Sequence, residues 1–157
     1  MTAGVIRKNG KLLISKRRKG AHLAGFWEFP GGKQEKGESL SGCLDRELFE
    51  ELGISVRIGP RIASVDYEYP QKRIVLHAFY CTWKKGEPKP LQCQAIRWVA
   101  PEELPNLELP PPDMKILETV INSKIFEEWM KGKDMFYKKN SDGYNTPAKG
   151  IKLKSLT

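Results

Sequence analysis

The sequence predicts an α/β domain in which a mixed β-sheet lies between helices. Short stretches rich in β-branched and aromatic residues recur along the chain and predict strands. Two stretches with apolar residues at three- and four-residue spacing predict helices, one near the middle and one near residue 120. Strands, a helix, more strands and a second helix are the order expected for such a sandwich.

Composition and charge limit the classes of protein that this chain can represent. It has 157 residues, 39% of them hydrophobic and 29% charged, which suits about one globular domain. No apolar run is long enough to span a membrane, and the N-terminus lacks the apolar core of a signal peptide. Three widely spaced cysteines without a CxxC pair argue against zinc and disulfides. We therefore expect a cytoplasmic protein, and the net charge of +8 indicates an anionic partner.

The N-terminal region predicts a β-hairpin followed by a third extended piece. Residues 3–6 and 11–15 are apolar, and Asn9-Gly10 between them is a strong signal for a two-residue turn. Residues 26–29 predict a short extended segment that ends at a loop over residues 30–33.

The central helix is predicted over residues 39–52. Ser39 can cap its N-terminus, and Gly53 is a typical C-terminal stop. Its apolar stripe consists of Leu40, Cys43, Leu44 and Leu48.

The second half predicts four strands and one long helix. The strands cover residues 54–58, 62–69, 73–83 and 95–99, a proline-rich loop covers 101–112, and the helix covers 113–130. Residues 1–130 thus form the predicted domain. Residues 131–157 form a basic C-terminal extension that we expect to pack on it, with an edge strand over 151–157.

A group of carboxylates on the central helix indicates metal chemistry. Glu47, Glu50 and Glu51 share one helical face because residues three and four apart are neighbours. Carboxylates held close together favour a hard cation such as Mg²⁺ or Mn²⁺. The alternative is a solvated acidic face. Arg46 and the glycine loop over residues 30–33 favour the metal, since they add a carboxylate partner and backbone that can approach a phosphate.

The same stretch resembles the Nudix box. From Gly32 the chain reads glycine, five residues, Glu38, seven residues, Arg46-Glu47-Leu48, one residue, Glu50-Glu51, one residue and Gly53-Ile54, which fills nine specified positions over 23 residues. The wider sequence over about residues 2–128 is similar to MutT-type nucleoside triphosphate pyrophosphohydrolases, on segments such as "FWEFPGGK" and "LPPPDMKIL". The resemblance implies the Nudix fold, an α/β/α sandwich.

The resemblance also implies roles for the box residues. Glu50 and Glu51 would bind Mg²⁺, with Mn²⁺ as the alternative ion, and Glu50 counts among the catalytic residues. Glu47 would act as a ligand or general base, Arg46 would orient it, and the Gly31 carbonyl would complete the metal shell.

Besides the nine specified box positions, five further residues match positions that contact substrate in this branch. Arg17 and Lys33 would contact phosphate, although Lys33 is equally well explained by a structural role. The nucleoside pocket would be lined by His22, Phe29 and Asp113. The alternatives are that His22 lies on the surface, that Phe29 is a core residue and that Asp113 is the N-cap of a helix.

One position departs from the pattern that the resemblance implies. Many MutT-type enzymes carry another metal-binding glutamate six residues before the tryptophan of the "RWV" strand, and here that position is Gln92. A glutamine adds no charge and cannot act as a base. Either the box carboxylates suffice, Glu87 contributes, or turnover is slow.

The function implied by the resemblance is hydrolysis of (deoxy)nucleoside triphosphates to the monophosphate and pyrophosphate. Its role would be to sanitise oxidised or modified nucleotides, with 8-oxo-dGTP and cytosine nucleotides both open. The alternatives are hydrolysis of nucleotide sugars or dinucleoside polyphosphates, and a non-catalytic module that recognises modified bases in nucleic acid. We expect a monomer or homodimer with no membrane partner and no stable nucleic-acid partner.

Overall fold

The structure is a computed structural model that describes residues 1–133, 135–139 and 145–147. Its main strands are β1 (Thr2–Lys8), β2 (Lys11–Lys16), β3 (Trp27–Glu28), β4 (Gly31–Gly32), β5 (Ser55–Glu68), β6 (Arg73–Lys85) and β7 (Ala95–Val99). The helices are α1 (Leu40–Leu52), α2 (Pro111–Ile121) and α3 (Lys124–Met130), and a 3₁₀ helix covers Pro101–Asn106. Strands β8 (Tyr137–Lys139) and β9 (Asn145–Pro147) pair with each other.

The seven main strands form one mixed sheet, as the sequence predicts. The central order is β3-β2-β1-β6-β5, β4 pairs with β1, and β7 pairs with β2. Strands β1 and β6 run parallel, and the other pairs are antiparallel. The parallel pair lies at the centre, so the N-terminal end of β1 lies beside the middle of β6, where the site is built.

The β1–β2 hairpin turns at Asn9-Gly10, which confirms the predicted turn. Both residues have positive φ, 50° and 74°, as a type I′ turn requires. Glycine adopts this conformation without strain, and asparagine tolerates it better than most residues. The turn therefore fixes the register in which Lys8 pairs with Lys11.

Helices cover both faces of the sheet, and each face has its own core. On one face, α1 buries Leu44, Leu48 and Leu52 against Ile6 and Leu13 of the sheet. On the other face, α2 and α3 build the larger core with a set that includes Leu12, Ile14, Tyr80, Ile116, Val120, Phe126 and Trp129. Alternation along β2 explains the division, because neighbouring residues of a strand point to opposite faces.

Three boundary predictions were wrong. The predicted strands 54–58 and 62–69 are one strand, β5, which bulges between Ile58 and Ala63 and so accommodates Pro60. The predicted helix 113–130 is two helices, because Ser123 caps α3 by accepting a hydrogen bond from the Phe126 amide. Part of the loop predicted over 101–112 is the 3₁₀ helix. Among the described residues, no helix has the length and apolar character needed to cross a membrane.

Residues after α3 return to the larger core. Phe136 is buried, and its ring centroid lies 4.9 Å from that of Tyr80. The Arg7 guanidinium donates to the Trp129 carbonyl and lies 4.9 Å from the centroid of its ring. The edge strand predicted over 151–157 lies outside the described residues.

Trp129 is the aromatic centre of this packing, which leads to a stability prediction. Its side chain is fully buried against Tyr80, Phe126 and Phe136. We expect Trp129→Ala to lower the free energy of unfolding by about 3 to 5 kcal/mol, because it leaves a large cavity. Ile125→Ala on the same helix is the control, since Ile125 is 46% exposed. Urea unfolding checks both variants, and equal losses would contradict the assignment of Trp129 to the core.

Candidate active site

The glycine loop is packed so closely that a Cβ atom at Gly31 would clash with backbone and one at Gly32 would displace the Glu47 side chain. Gly31 and Gly32 form β4 and pair with Ala3 and Thr2 of β1. A Cβ atom at Gly31 would overlap the Thr2 carbonyl, and one at Gly32 would overlap the Glu47 carboxylate. The two glycines thereby bring the loop backbone into contact with a side chain of α1.

Arg46 connects this loop to the carboxylates of α1. Its guanidinium donates to both carboxylate oxygens of Glu38 at 2.6 and 2.8 Å, and to the Lys33 carbonyl at 3.1 Å. It also donates to Glu47 at 2.8 Å and to Glu50 at 3.1 Å. The hydrogen bonds from Arg46, followed by the one from the Glu35 amide, lower the pKa of Glu38 to about 2. One arginine thus holds the loop and two carboxylates of the helix in a single network.

Glu51 lies at the crowded centre of the acidic cluster, by which we mean Glu47, Glu50 and Glu51. Burial, followed by the nearby carboxylates of Glu47, Glu28 and Glu50, raises its pKa to about 8. Glu51 also shares a hydrogen bond with Glu47. The shift means that burial and the neighbouring negative charges both disfavour the ionised form of Glu51. A cation bound among these side chains would favour the ionised carboxylates instead.

The donor chemistry of the cluster fits a hard divalent cation. All its ligand atoms are carboxylate oxygens, and the backbone of Gly31 lies on the adjacent loop; Mg²⁺ and Mn²⁺ prefer such oxygen donors. In the described part of the chain, however, no three His, Cys, Asp or Glu side chains are already arranged to hold a metal. Arg46 engages Glu47 and Glu50 instead, so these carboxylates would exchange part of that contact for the ion.

A cavity of about 170 Å³ opens beside the acidic cluster, and we call it the base cavity. It lies between the glycine loop, the start of α2 and the turn that joins β5 to β6. Its lining includes Met1, Thr2, Arg17, His22, Leu23, Glu28, Phe29, Gly31, Gly32, Glu51, Tyr69, Lys72, Ile74, Leu76, Pro110, Pro112 and Asp113. Six residues predicted from the sequence are therefore brought together at one site: Arg17, His22, Phe29, Gly31, Glu51 and Asp113.

Asp113 is a buried residue in the lining of the base cavity. It does not cap α2, as the alternative prediction had it, because the N-cap position is Pro110 and Asp113 lies in the first turn. Its Oδ2 accepts a hydrogen bond from the Phe29 amide at 3.0 Å. Burial and, to a lesser extent, the Glu28 carboxylate raise the pKa of Asp113 to about 7. The Phe29 ring belongs to the larger core while lining the cavity.

Arg17 is held at the cavity wall by two contacts. It donates to the Glu28 carboxylate and to the His22 carbonyl, both at 2.6 Å. The His22 ring meets the Tyr69 ring edge to face, with centroids 4.7 Å apart. These two contacts use Nε and Nη1 of the Arg17 guanidinium and fix its place in the lining.

Three positions singled out in the sequence, Lys33, Gln92 and Glu87, differ in how they relate to the site. Lys33 is exposed and lines neither the base cavity nor its neighbour; its carbonyl accepts from Arg46, so its phosphate contact stays a prediction. Gln92 lines a second cavity together with Glu51, which puts it near the acidic cluster. Glu87 is exposed and lines neither cavity.

Three residues that line the cavity were not identified from the sequence. Glu28 borders both cavities, and burial raises the pKa of its carboxyl despite the adjacent Arg17. The sequence signal that could have identified Glu28 is an acidic residue inside the apolar "FWEFP" segment. Tyr69 and Lys72 come from the β5–β6 turn, whose position over the cavity depends on tertiary structure.

Comparison with known proteins identifies the family. Residues 2–119, three quarters of the chain, match the family model described as the NUDIX domain. The chain therefore belongs to the NUDIX domain family, and the predicted Nudix fold is confirmed.

Curated relatives and a solved structure narrow the comparison. The chain is 39% identical over 118 residues to a CTP pyrophosphohydrolase of Escherichia coli K12, covering 75% of this chain and 87% of that protein. It is 33% identical over 124 residues to an 8-oxo-dGTP diphosphatase of Buchnera aphidicola subsp. Schizaphis graminum, covering 79% and 94%. The solution structure of the E. coli ORF135 protein aligns with a TM-score of 0.67 at 37% identity, covering 76% and 86%.

The raised pKa of Asp113 predicts a pH-dependent effect of Asp113→Asn on stability. The ordinary pKa of 3.8 rises to about 7 on folding, so between these values the unfolded chain ionises first and the native state loses stability as pH rises. The asparagine variant lacks this loss. Relative to the unmodified protein, its free energy of unfolding should therefore increase from about pH 4 to about pH 7 and then stay level. Urea unfolding across that range measures the difference.

The control for this prediction is Asp66→Asn. The exposed Asp66 pairs with Arg73, which lowers its pKa below the ordinary 3.8, so the loss that its substitution brings is complete by about pH 4 and should stay level from there to pH 7. A difference between Asp113→Asn and the unmodified protein that is constant with pH would contradict the assignment.

Proposed function

We propose that this protein is a Mg²⁺-dependent pyrophosphohydrolase that converts (deoxy)nucleoside triphosphates to the monophosphate and pyrophosphate. The observation that carries the proposal is the acidic cluster, organised by Arg46, beside a cavity whose lining includes Glu51 of that cluster and the buried Asp113. A metal-bound phosphate chain and a nucleobase need these two environments side by side.

In the proposed reaction, a water oxygen bonds to the β-phosphorus while the bond from that phosphorus to the bridging oxygen breaks. The nucleoside monophosphate leaves with the bridging oxygen, and Glu47 takes the proton of the water as general base. Arg46 positions Glu47 through its 2.8 Å hydrogen bond. When bound by Glu47, Glu50, Glu51 and the Gly31 carbonyl, Mg²⁺ or Mn²⁺ would neutralise phosphate charge and lower the pKa of the attacking water.

The remaining site residues would hold the substrate. Arg17 contacts the phosphates, while His22, Phe29 and Asp113 contact the nucleoside. With Oδ2 occupied by the Phe29 amide, ionised Asp113 accepts further hydrogen bonds through its other oxygen. This favours a base edge that donates, such as the cytosine amino group or guanine N1 and N2. Cytosine nucleotides and 8-oxo-dGTP, the substrates in the relatives' names, are therefore the first to test.

The alternative functions have less support. A non-catalytic module has no need of the complete set of Glu47, Glu50 and Glu51 around Arg46. Hydrolysis of other nucleoside diphosphate derivatives would use the same carboxylates, and a substrate panel separates it from the proposed reaction.

Glu51→Gln tests the catalytic proposal. The amide keeps the shape of the side chain but removes the charge at the centre of the acidic cluster, so pyrophosphate release should fall at least about 100-fold. Glu118→Gln, an exposed substitution on α2, is the control and should stay fully active. Release is measured with Mg²⁺ across ordinary, methylated and oxidised nucleotides. Retained activity in Glu51→Gln, or no hydrolysis by the unmodified protein, would refute the proposal.

Asp113→Asn tests base recognition. Because an amide can donate as well as accept, we expect the variant to shift the ratio of kcat/KM between nucleotides more than it lowers the best value. The same panel provides the measurement. An equal loss on every nucleotide would mean that Asp113 supports the cavity without contacting the base.

A further inference from the structure

A second cavity adjoins the base cavity at Glu51 of the acidic cluster. It measures about 230 Å³, and we call it the tail cavity. Its lining is Ser15, Arg17, Arg18, Ala21, Glu28, Glu51, Gln92 and Cys93. Arg17, Glu28 and Glu51 line both cavities, so an elongated ligand can cross from one to the other past the carboxylates.

Arg18 gives the tail cavity a cation that the protein itself does not use. Its neighbour Arg17 is engaged by Glu28 and the His22 carbonyl. Arg18 is exposed, and within the described ranges its guanidinium forms no hydrogen bond or ion pair. A guanidinium that lines a cavity next to metal-binding carboxylates suits a phosphate, which it can contact through two parallel N–H groups.

Gln92 adds a neutral donor to the same cavity. Its amide can donate to a phosphate oxygen, whereas a glutamate at this position would repel one. The adjoining chain is fixed to the end of β2, because Gln94 donates from its amide to the Lys16 carbonyl at 3.0 Å and from its side chain to the Arg17 carbonyl at 2.9 Å. The segments that carry Gln92 and Arg18 are therefore held together.

We propose that the tail cavity binds the terminal phosphate of a nucleoside triphosphate, with Arg18 and Gln92 as specificity-determining residues. The nucleoside would occupy the base cavity, the reacting phosphates would lie at the acidic cluster, and the pyrophosphate would leave through the tail cavity. Gln92 would then contact the terminal phosphate and would not bind the metal. The inference rests on the proposed function, and it predicts that the protein selects triphosphates over diphosphates.

The first test compares Arg18→Gln with Lys19→Gln, which removes an exposed positive charge next in sequence that does not line the cavity. Arg18→Gln should raise KM for the preferred triphosphate about five- to tenfold, as expected for loss of one charged hydrogen bond, and leave KM for the matching diphosphate unchanged. Lys19→Gln should change neither value. Equal effects on both substrates, or equal effects of both variants, would overturn the proposal.

The second test uses Gln92→Glu. If Gln92 faces the terminal phosphate, the added charge should raise KM for the triphosphate about fivefold or more without raising kcat. If Gln92 stands at a metal-ligand position, the glutamate should instead raise kcat, and that result would overturn the proposal.

Binding of inorganic pyrophosphate separates failure of this inference from failure of the proposed function. Titration calorimetry with Mg²⁺ should give about five- to tenfold weaker binding to Arg18→Gln than to the unmodified protein or Lys19→Gln. That result would support the subsite even if no nucleotide were hydrolysed. Equal pyrophosphate binding by all three proteins, with triphosphate hydrolysis intact, would overturn the subsite alone.

Discussion

The site depends on Arg46, which holds together carboxylates that would otherwise repel one another. Its guanidinium binds Glu38 through both oxygens and reaches Glu47, Glu50 and the Lys33 carbonyl. One side chain thus fixes the loop to the helix and sets where the acidic cluster stands. A lysine would not replace it, since a single ammonium cannot form the same planar set of contacts.

The fold provides the position at which this network acts. The sheet brings β1 beside β4, where Gly31 and Gly32 let the loop lie against both the strand and Glu47. The base cavity forms between this loop and α2, and the tail cavity forms between β2 and the loop before β7. Both are bordered by Glu51. The acidic cluster therefore stands between two openings, an arrangement that suits a substrate with a base at one end and phosphates at the other.

Local sequence signals predicted the parts of this structure that local physics determines. Asn9-Gly10 favours a turn in which both residues have positive φ, and that turn is present. Ser39 and Gly53 mark the two ends of α1, whose bounds were predicted to within one residue. The box spacing identified the carboxylates. Features set by tertiary packing were not predictable: the bulge that joins β5 into one strand, and the burial that draws Asp113 away from a cap toward the Phe29 amide. Glu28 was not predicted as a site residue, because it borders two cavities that form only when the chain folds.

A crystal structure with Mn²⁺ and a non-hydrolysable triphosphate analogue tests the central claim most directly, because anomalous scattering locates the metal. We predict a peak within about 2.0 to 2.3 Å of carboxylate oxygens from the acidic cluster, near the Gly31 carbonyl, with the base against Asp113. Metal bound elsewhere, or phosphates bound away from Glu51, would contradict the claim that Arg46 organises a metal-dependent site for phosphate hydrolysis.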